Sequence, residues 1–326
     1  MSRQTLCLGS PMGVAAAMAD DTRLLKAQAS LTQRDLRLLG WLYDNGVLTT
    51  DQIAAALFPS VDFAQRRLLR LFGLGVLARF RPQKWDGGSH PYHYLLDQLG
   101  TEVVAAQRGD DPPRRDQARR RRHHLTSRAN LPHLLGTNQF FIDMAAHERT
   151  HPGSRLDRWW PAATFHDRAA FFHTGDTPQL MVTPQMPRPD GHGTWTEGDQ
   201  SVPFFLEFDL GTERLDVLVD KVIRYSLLAG LTSWRWPVLF WLPSARRELN
   251  LHNAITSTGR PRAIVATASA DHAAAIGQSP AEAVWWLHGR DGGRLRLSQL
   301  PYRNPKHDEN NENEEYDLLA TSQERR

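Results

Sequence analysis

Three acidic residues of this chain could support metal-dependent chemistry. Asp190 follows Arg-Pro in a turn sequence, and Glu207 and Asp209 lie in the run Phe-Phe-Leu-Glu-Phe-Asp-Leu-Gly-Thr-Glu. Residues 202–208 are mostly apolar and β-prone, so Phe204 to Phe208 are predicted to form a buried strand. Side chains two apart on a strand share a face, which predicts that Glu207 and Asp209 project together, opposite Phe208.

Carboxylates crowded at the end of a buried strand repel one another unless a positive charge lies between them. A hard divalent cation, Mg²⁺ or Mn²⁺, held by Asp190, Glu207 and Asp209 would supply that charge and activate a bound water. Lys221, on the next helix, would orient this water or offset charge on a scissile phosphate. These four residues form the candidate catalytic site, and the three acids form its candidate metal site.

Each part of this pattern also has a structural explanation. Pro-Asp-Gly is a favourable turn sequence, and Glu-x-Asp is common at exposed strand ends. Glu213 is expected to cap the following helix as a partner of its dipole, with metal ligation as the alternative. Tyr225, one turn beyond Lys221, is expected to pack in the core, with a hydrogen bond to a ligating carboxylate as the alternative.

Residues 30–108 are predicted to form a winged helix-turn-helix domain that binds DNA. Thr32 or Ser30 is available to cap the first helix, and Asn45-Gly46 ends it. The pattern predicts three helices, a two-stranded ribbon and a closing helix, at about 31–45, 52–58, 62–71, 76–81, 92–96 and 99–107.

The third helix is predicted to enter the DNA major groove. Leu68, Leu69 and Phe72 are assigned to its core side, with the polar residues on the opposite side. The wing is expected to contact backbone phosphates. Winged-helix domains also mediate protein contacts, and surface arginines can simply favour solubility. The candidate DNA contacts of the helix and wing are Gln65, Arg66, Arg67, Arg70, Arg79, Arg81 and Lys84.

A basic linker is predicted at residues 109–129. Residues 114–128 contain seven arginines and one acid, Asp116, and this density favours a surface that faces nucleic acid. Arg119, Arg120, Arg121 and Arg122 are therefore added to the candidate DNA contacts. Residues 1–29 are expected to be a flexible extension, and the polar, acidic segment 303–326 a disordered tail.

Composition excludes several other classes of protein. The chain has 326 residues, a formal net charge of +3 and a single cysteine, Cys7, so no intrachain disulfide can form and a reducing cytoplasm is expected. No apolar run is long enough to cross a membrane. The fourteen histidines lack paired zinc-ligand spacing, so a structural zinc site is not predicted.

Residues 130–302 are predicted to form an α/β sandwich, which makes the whole chain a mixed α+β and α/β protein. The predicted strands lie near 156–160, 188–195, 202–209, 237–242 and 262–268. The predicted helices lie near 131–147, 213–228, 244–257, 271–276 and 281–287.

This second domain resembles the PD-(D/E)xK nuclease fold, in which a hairpin presents an Asp and a following (D/E)-x-K to Mg²⁺. Asp190 matches the first acid and Glu207 the second, but Asp209 stands where the lysine is expected. Some members of that fold carry the lysine on the next helix, where Lys221 lies. The absence of a lysine at position 209 argues against cleavage activity more strongly than it argues against the fold.

The chain from about 31 to 300 resembles the replication-relaxation family of actinobacterial plasmids and mobile elements. The residues that carry this resemblance are Leu-Thr-x-Arg-Asp at 31–35, Leu-Thr-Thr-x-Gln-Ile at 48–53, Arg-Arg-Leu-x-Arg-Leu at 66–71, Tyr-x-Tyr at 92–94, Pro-Asp-Gly, and Phe-x-x-Glu-x-Asp-x-Gly-Thr-Glu with Lys221 and Tyr225. The resemblance implies a protein that acts on double-stranded DNA in plasmid replication or transfer, together with other proteins of those processes. Two functions remain open: a Mg²⁺-dependent DNA nickase or endonuclease, and a non-catalytic replication or transcription regulator with a degenerate nuclease fold.

Overall fold

The computed structural model of the protein describes residues 22–83, 87–114, 116–126 and 130–305. Its architecture is mixed α and β, and the chain divides into two compact units, Met1–Leu131 and Pro132–Arg326. Lys84, residues 1–21 of the predicted extension and residues 306–326 of the predicted tail lie outside the described residues.

The first unit combines helices with a small antiparallel sheet. Its three strands have the order β1-β3-β2. Residues 22–30 form a helix (α1) in which Ala27 is buried, which differs from the flexible extension predicted there. The elements that follow are α2 (Gln33–Asn45), β1 (Leu48–Thr49), α3 (Thr50–Leu57), α4 (Val61–Gly73), β2 (Leu77–Phe80), β3 (His93–Leu96), α5 (Gln98–Arg108) and α6 (Gln117–Thr126).

Side-chain caps explain where the helices of this unit begin. The hydroxyl groups of Thr32, Thr49 and Ser60 accept hydrogen bonds from backbone amides in the first turns of α2, α3 and α4. Thr32 and Thr49 take part in reciprocal capping boxes with Asp35 and Gln52. Capping residues of this kind can be recognised in a sequence, and the predicted helices agree closely with the observed ones.

The orientation of α4 differs from the sequence prediction. Its core side consists of Ala64, Leu68 and Leu71, all fully buried. Leu69 is 56% exposed and Phe72 is 40% exposed, so their assignment to the core is wrong. Ala64 is small, and a pattern of large apolar side chains does not indicate that this position is buried.

The second unit is built on one sheet of six strands in the order β4-β5-β6-β7-β8-β9. Strands β4, β5 and β6 form an antiparallel meander, β6, β7 and β8 are parallel, and β9 is antiparallel to β8. The strands are β4 (Ser154–Pro161), β5 (Gly191–Glu197), β6 (Gln200–Phe208), β7 (Val238–Leu242), β8 (Val265–Ser269) and β9 (Trp286–Leu287). The α-helices are α7 (Leu131–Thr150), α8 (Gln179–Val182), α9 (Leu215–Leu231), α10 (Ala245–Thr258) and α11 (Ala270–Ala275), with short 3-10 turns at Ala162–His166, Arg168–Phe171 and Leu297–Gln299.

The predicted helix at 281–287 is wrong. Trp286 and Leu287 instead pair with Thr267 and Ala266 of β8, and the indole of Trp285 donates a hydrogen bond to the carbonyl of Pro280. Strand pairing with a distant part of the chain therefore outweighs the local helical pattern.

Alternating side chains of β6 cover both faces of the sheet. Phe205 belongs to the core cluster that includes residues of α9 and α10, while Phe204 packs against Phe140 and Phe141 of α7. Position 136 of α7 requires glycine, because a Cβ there would lie 2.4 Å from the ring of Phe208. The end of β6 is thus held between α7 and α9. No helix among the described residues combines the length and apolar character needed to span a bilayer.

Candidate functional site

Glu207 is the buried centre of the candidate site in the second unit. It lies near the carboxyl end of β6 with only 2% of its surface exposed. The hydroxyl of Tyr225 donates a 2.7 Å hydrogen bond to Oε1, so Tyr225 both packs in the core and bonds the carboxylate. Burial is the main cause that raises the pKa of Glu207, to about 7, against the lowering effect of Lys221.

Lys221 of α9 bridges two carboxylates. Its Nζ lies 3.0 Å from Oε2 of Glu207 and 3.1 Å from Oε2 of Glu213. Burial disfavours its charge, but the negative charges of Glu207 and Asp190 outweigh burial and raise the pKa of Lys221. Glu213 was expected to cap the helix. It pairs with Lys221 instead, and α9 begins at Leu215 after an Arg214 that makes no side-chain cap, so the capping prediction is wrong.

Asp190 lies beside this pair, at the start of β5. Its Oδ2 accepts a 2.9 Å hydrogen bond from the amide of Phe208, which fixes the carboxylate against the end of β6. The Nε2 of His133, on α7, lies 3.4 Å from the same oxygen and 2.8 Å from the carbonyl oxygen of Phe208. The hydrogen bond to Asp190 outweighs burial and raises the pKa of His133, which favours the imidazolium form. Asp190 is also close enough to Glu207 that its charge contributes to the raised pKa of Glu207.

Asp209 is directed to a different partner. Its carboxylate is paired with the guanidinium of Arg247 on α10, and Oδ1 also accepts a 2.9 Å hydrogen bond from the amide of Gly211. Arg247 in turn bonds the backbone carbonyl of Glu213. Gly211 has a φ of 82°, a conformation that favours glycine, so Asp209 and Arg247 together define the turn between β6 and α9.

The structure thus brings Asp190, Glu207 and Lys221 together and places Asp209 against Arg247. Within the described residues, no group of three or more His, Cys, Asp or Glu side chains is arranged to hold a metal ion. Sequence reasoning missed His133 and Arg247. Both approach from helices remote in sequence, 75 residues from Phe208 and 38 residues from Asp209, and neither lies in a recognisable motif.

The outward face of α4 is the candidate nucleic-acid surface of the first unit. Gln65, Arg66 and Arg70 are exposed there. Arg66 makes an ion pair with Asp62 at 2.8 Å in which both side chains remain mostly exposed, and its guanidinium lies 4.8 Å from the centre of the Phe63 ring. These basic groups are therefore accessible to an anionic partner.

Arg67 faces the interior of the unit. Its guanidinium donates to both carboxylate oxygens of Asp35, at 2.9 Å for Nε to Oδ1, and to the carbonyl of Ser30 at 3.1 Å. Asp35 is 1% exposed and also belongs to the capping box of α2. Burial alone would raise its pKa, but the hydrogen bonds from Arg67 and Thr32 outweigh burial and lower the pKa of Asp35.

The two described arginines of the predicted wing are stacked on aromatic rings. The guanidinium of Arg79 lies 4.6 Å from the ring centre of Phe72 and 4.1 Å from that of Tyr92. The guanidinium of Arg81 lies 5.0 Å from the Tyr92 ring, and its Nε donates to the carbonyl of His90 at 2.8 Å. Stacking restricts these cations to defined positions on the β2–β3 side of the unit.

The four arginines of α6 lie in two different environments. Arg119 and Arg120 are exposed. Arg121 donates to the carbonyl of Tyr43, and burial lowers the pKa of Arg121. Arg122 lies 4.0 Å from a carboxylate oxygen of Asp97. Two of the four arginines of α6, Arg121 and Arg122, therefore face groups of their own unit.

A family model described as replication-relaxation matches residues 39–239, more than half of the chain. The chain belongs to the replication-relaxation family. The match begins within α2 and ends within β7, so it contains α4, Asp190, Glu207 and Lys221 of this replication-relaxation protein but ends before Arg247. Membership connects the protein with replication and with DNA. No curated protein and no solved structure matches the chain.

Proposed function

We propose that this replication-relaxation protein binds duplex DNA through its first unit and nicks DNA through its second. In the first unit, α2, α3 and α4 with the β2–β3 ribbon form a winged helix-turn-helix domain, for which we place the boundaries at residues 30–108. Its α4 is the recognition helix, and the ribbon is the wing.

The arrangement of accessible cations supports this assignment. Arg66 and Arg70 are exposed on α4, and Arg81 is exposed on the wing. A recognition helix needs such groups to bond guanine edges and phosphates, and a wing needs them to hold the DNA backbone. Arg67 is excluded from the DNA contacts because Asp35 engages its guanidinium.

In the second unit, we propose a PD-(D/E)xK-like site formed by Asp190, Glu207 and Lys221 within residues 130–302. One observation carries the proposal: the buried carboxylate of Glu207 lies 3.0 Å from the ammonium of Lys221 and close enough to Asp190 for that charge to raise the pKa of Glu207. It is costly to place two carboxylates close together when one of them is buried, and groups whose pKa is shifted in this way cluster at functional sites.

The donor set fits Mg²⁺ or Mn²⁺. Both ions prefer oxygen ligands, and Mg²⁺ is commonly held by one or two carboxylates while keeping several waters, so Asp190 and Glu207 suffice without Asp209. The ion, when bound, would lower the pKa of a water and polarise the phosphodiester. Lys221, with 24% of its side chain exposed, would place its ammonium beside a non-bridging phosphate oxygen and offset the charge that develops there.

A supercoiled-plasmid nicking assay tests this proposal. The protein should convert supercoiled DNA to open circles with Mg²⁺ or Mn²⁺ and not with chelator, and Asp190→Asn, Glu207→Gln and Lys221→Met should each abolish conversion. Asp220→Asn is the matched control because Asp220 adjoins Lys221 but is exposed and pairs with Arg224. Absence of metal-dependent nicking by the wild type would refute the nickase.

The second candidate function is a non-catalytic replication or transcription regulator. The observation that favours it is that every predicted acidic ligand already faces a basic side chain: Asp190 faces His133, Glu207 faces Lys221 and Asp209 faces Arg247. Such pairing satisfies a degenerate site without an ion. DNA binding with unchanged plasmid topology would select this function.

In either case, we propose that the protein acts in the replication or transfer of plasmids and mobile elements, where other replication or transfer proteins would be its partners. The family match supports the connection with replication.

A further inference from the structure

The outward face of α4 carries large apolar side chains that the fold of the unit does not require. Leu69 is 56% exposed and Phe72, one helical turn further along the same side, is 40% exposed, although the core side of the helix is already completed by Ala64, Leu68 and Leu71. Exposing side chains of this size to water is unfavourable, and apolar groups grouped on one surface indicate a binding site.

Cations surround the apolar groups on this face. Leu69 lies one helical turn from Gln65 and Arg66 on one side and from Phe72 on the other. The guanidinium groups of Arg66 and Arg79 stack on the rings of Phe63 and Phe72. Leu69 is therefore an apolar contact point in the middle of a basic surface.

We infer that Leu69 makes a specificity contact with the 5-methyl group of thymine in the major groove. This inference rests on the proposed DNA-binding function of the first unit. An apolar protein partner would have to bury Arg66 and Arg70 without counterions, whereas DNA supplies phosphates for them. The thymine methyl is the one apolar group that a base edge presents in the major groove, and it meets apolar side chains in known modes of readout.

The test uses the full chain and four short duplexes: alternating A·T, alternating A·U, alternating G·C, and alternating G·C with 5-methylcytosine. The wild type should bind A·T more tightly than A·U, by about fourfold for each methyl group buried. The wild type should likewise bind the G·C duplex with 5-methylcytosine more tightly than the unmethylated G·C duplex. The second pair separates methyl contact from the shape of A·T-rich DNA, because it places the same methyl on a different base pair.

Leu69→Ala should bring both affinity ratios close to one without changing the salt dependence of binding, since no phosphate contact is lost. Leu25→Ala is the matched control, because Leu25 is 65% exposed on α1 and should leave both ratios unchanged. Arg66→Ala should show the converse result, a shallower salt dependence with the methyl preference retained.

The outcomes separate this inference from the proposed function. If the wild type binds none of the duplexes, DNA binding by the first unit is refuted. Tight binding without methyl preference would overturn the role of Leu69 and leave DNA binding intact. If Leu69→Ala instead abolishes self-association in sedimentation, the apolar face is a contact between two copies, and the inference is also overturned.

Discussion

The guanidinium of Arg67 is bonded to the buried carboxylate of Asp35, while its neighbour Arg66 on the same helix is exposed to solvent. The pair connects α4 with the capping box that starts α2. Two adjacent arginines of α4 thus have different roles, and of these two only Arg66 is available to bind DNA.

This difference predicts opposite effects of two substitutions. Arg67→Ala leaves the Asp35 carboxylate buried and unpaired, so it should lower the free energy of unfolding by about 3 kcal/mol. Arg66→Ala removes an exposed pair and should change stability by less than about 0.5 kcal/mol, while weakening DNA binding and its salt dependence. Urea unfolding and a salt titration of DNA binding measure the two effects. Equal stability of both variants would show that the Asp35 pair does not hold α4.

Arg247 should behave in the same way in the second unit. Because it neutralises the buried carboxylate of Asp209 and bonds the carbonyl of Glu213, Arg247→Ala should cost about 3 kcal/mol of stability. The double variant Asp209→Asn, Arg247→Ala should recover part of this loss, since no buried charge is then left unpaired. Additive losses in urea unfolding would argue against a coupled pair.

The sequence was sufficient for those elements whose signals are local. Thr32 was predicted to cap the helix observed as α2, and the apolar run around Glu207 predicted its strand. The sequence was not sufficient where contacts between distant segments determine the position of a side chain. The position of His133 depends on the packing of α7 against Phe208, and the partner of Asp209 depends on where α10 begins. Leu69 was misassigned because α4 carries large apolar side chains on both faces, and spacing alone does not show which face is inward.

His252 predicts a loss of stability in acid. It is stacked on Trp286, its Nε2 lies 2.8 Å from Oγ1 of Thr267, and its Nδ1 lies 3.2 Å from Nδ1 of His288. Burial lowers the pKa of His252 from 6.5 to about 4, so its stabilising contribution is present above pH 6.5 and is lost as pH falls through about 4. His252→Gln should remove roughly 2–3 kcal/mol of this acid dependence in chemical unfolding. Burial also lowers the pKa of His288, so a smaller slope should remain. An unchanged slope in the variant would contradict the assignment.

Glu207 predicts the reverse dependence near neutrality. Its folded pKa of about 7 exceeds its ordinary value of 4.5, so its contribution is fully present below pH 4.5 and is lost as pH rises through about 7. The wild type should therefore lose roughly 1–3 kcal/mol relative to Glu207→Gln across this range. Tyr225→Phe keeps the carboxyl group and should keep the slope. Parallel stability curves for wild type and Glu207→Gln would show that Glu207 does not titrate in this range.

The metal response of the folded protein distinguishes the two acids beside Lys221 from Asp209. Mg²⁺ or Mn²⁺ at a hundredfold excess over its dissociation constant should stabilise the fold by about 2.7 kcal/mol, because a ligand that binds only the native state shifts the folding equilibrium. Asp190→Asn and Glu207→Gln should abolish this gain in calorimetry at neutral pH. Asp209→Asn should be less stable without metal but should keep the full gain, since its carboxylate is committed to Arg247. Loss of the gain in Asp209→Asn would restore the three-carboxylate site predicted from the sequence, and no gain in the wild type would eliminate the metal site altogether.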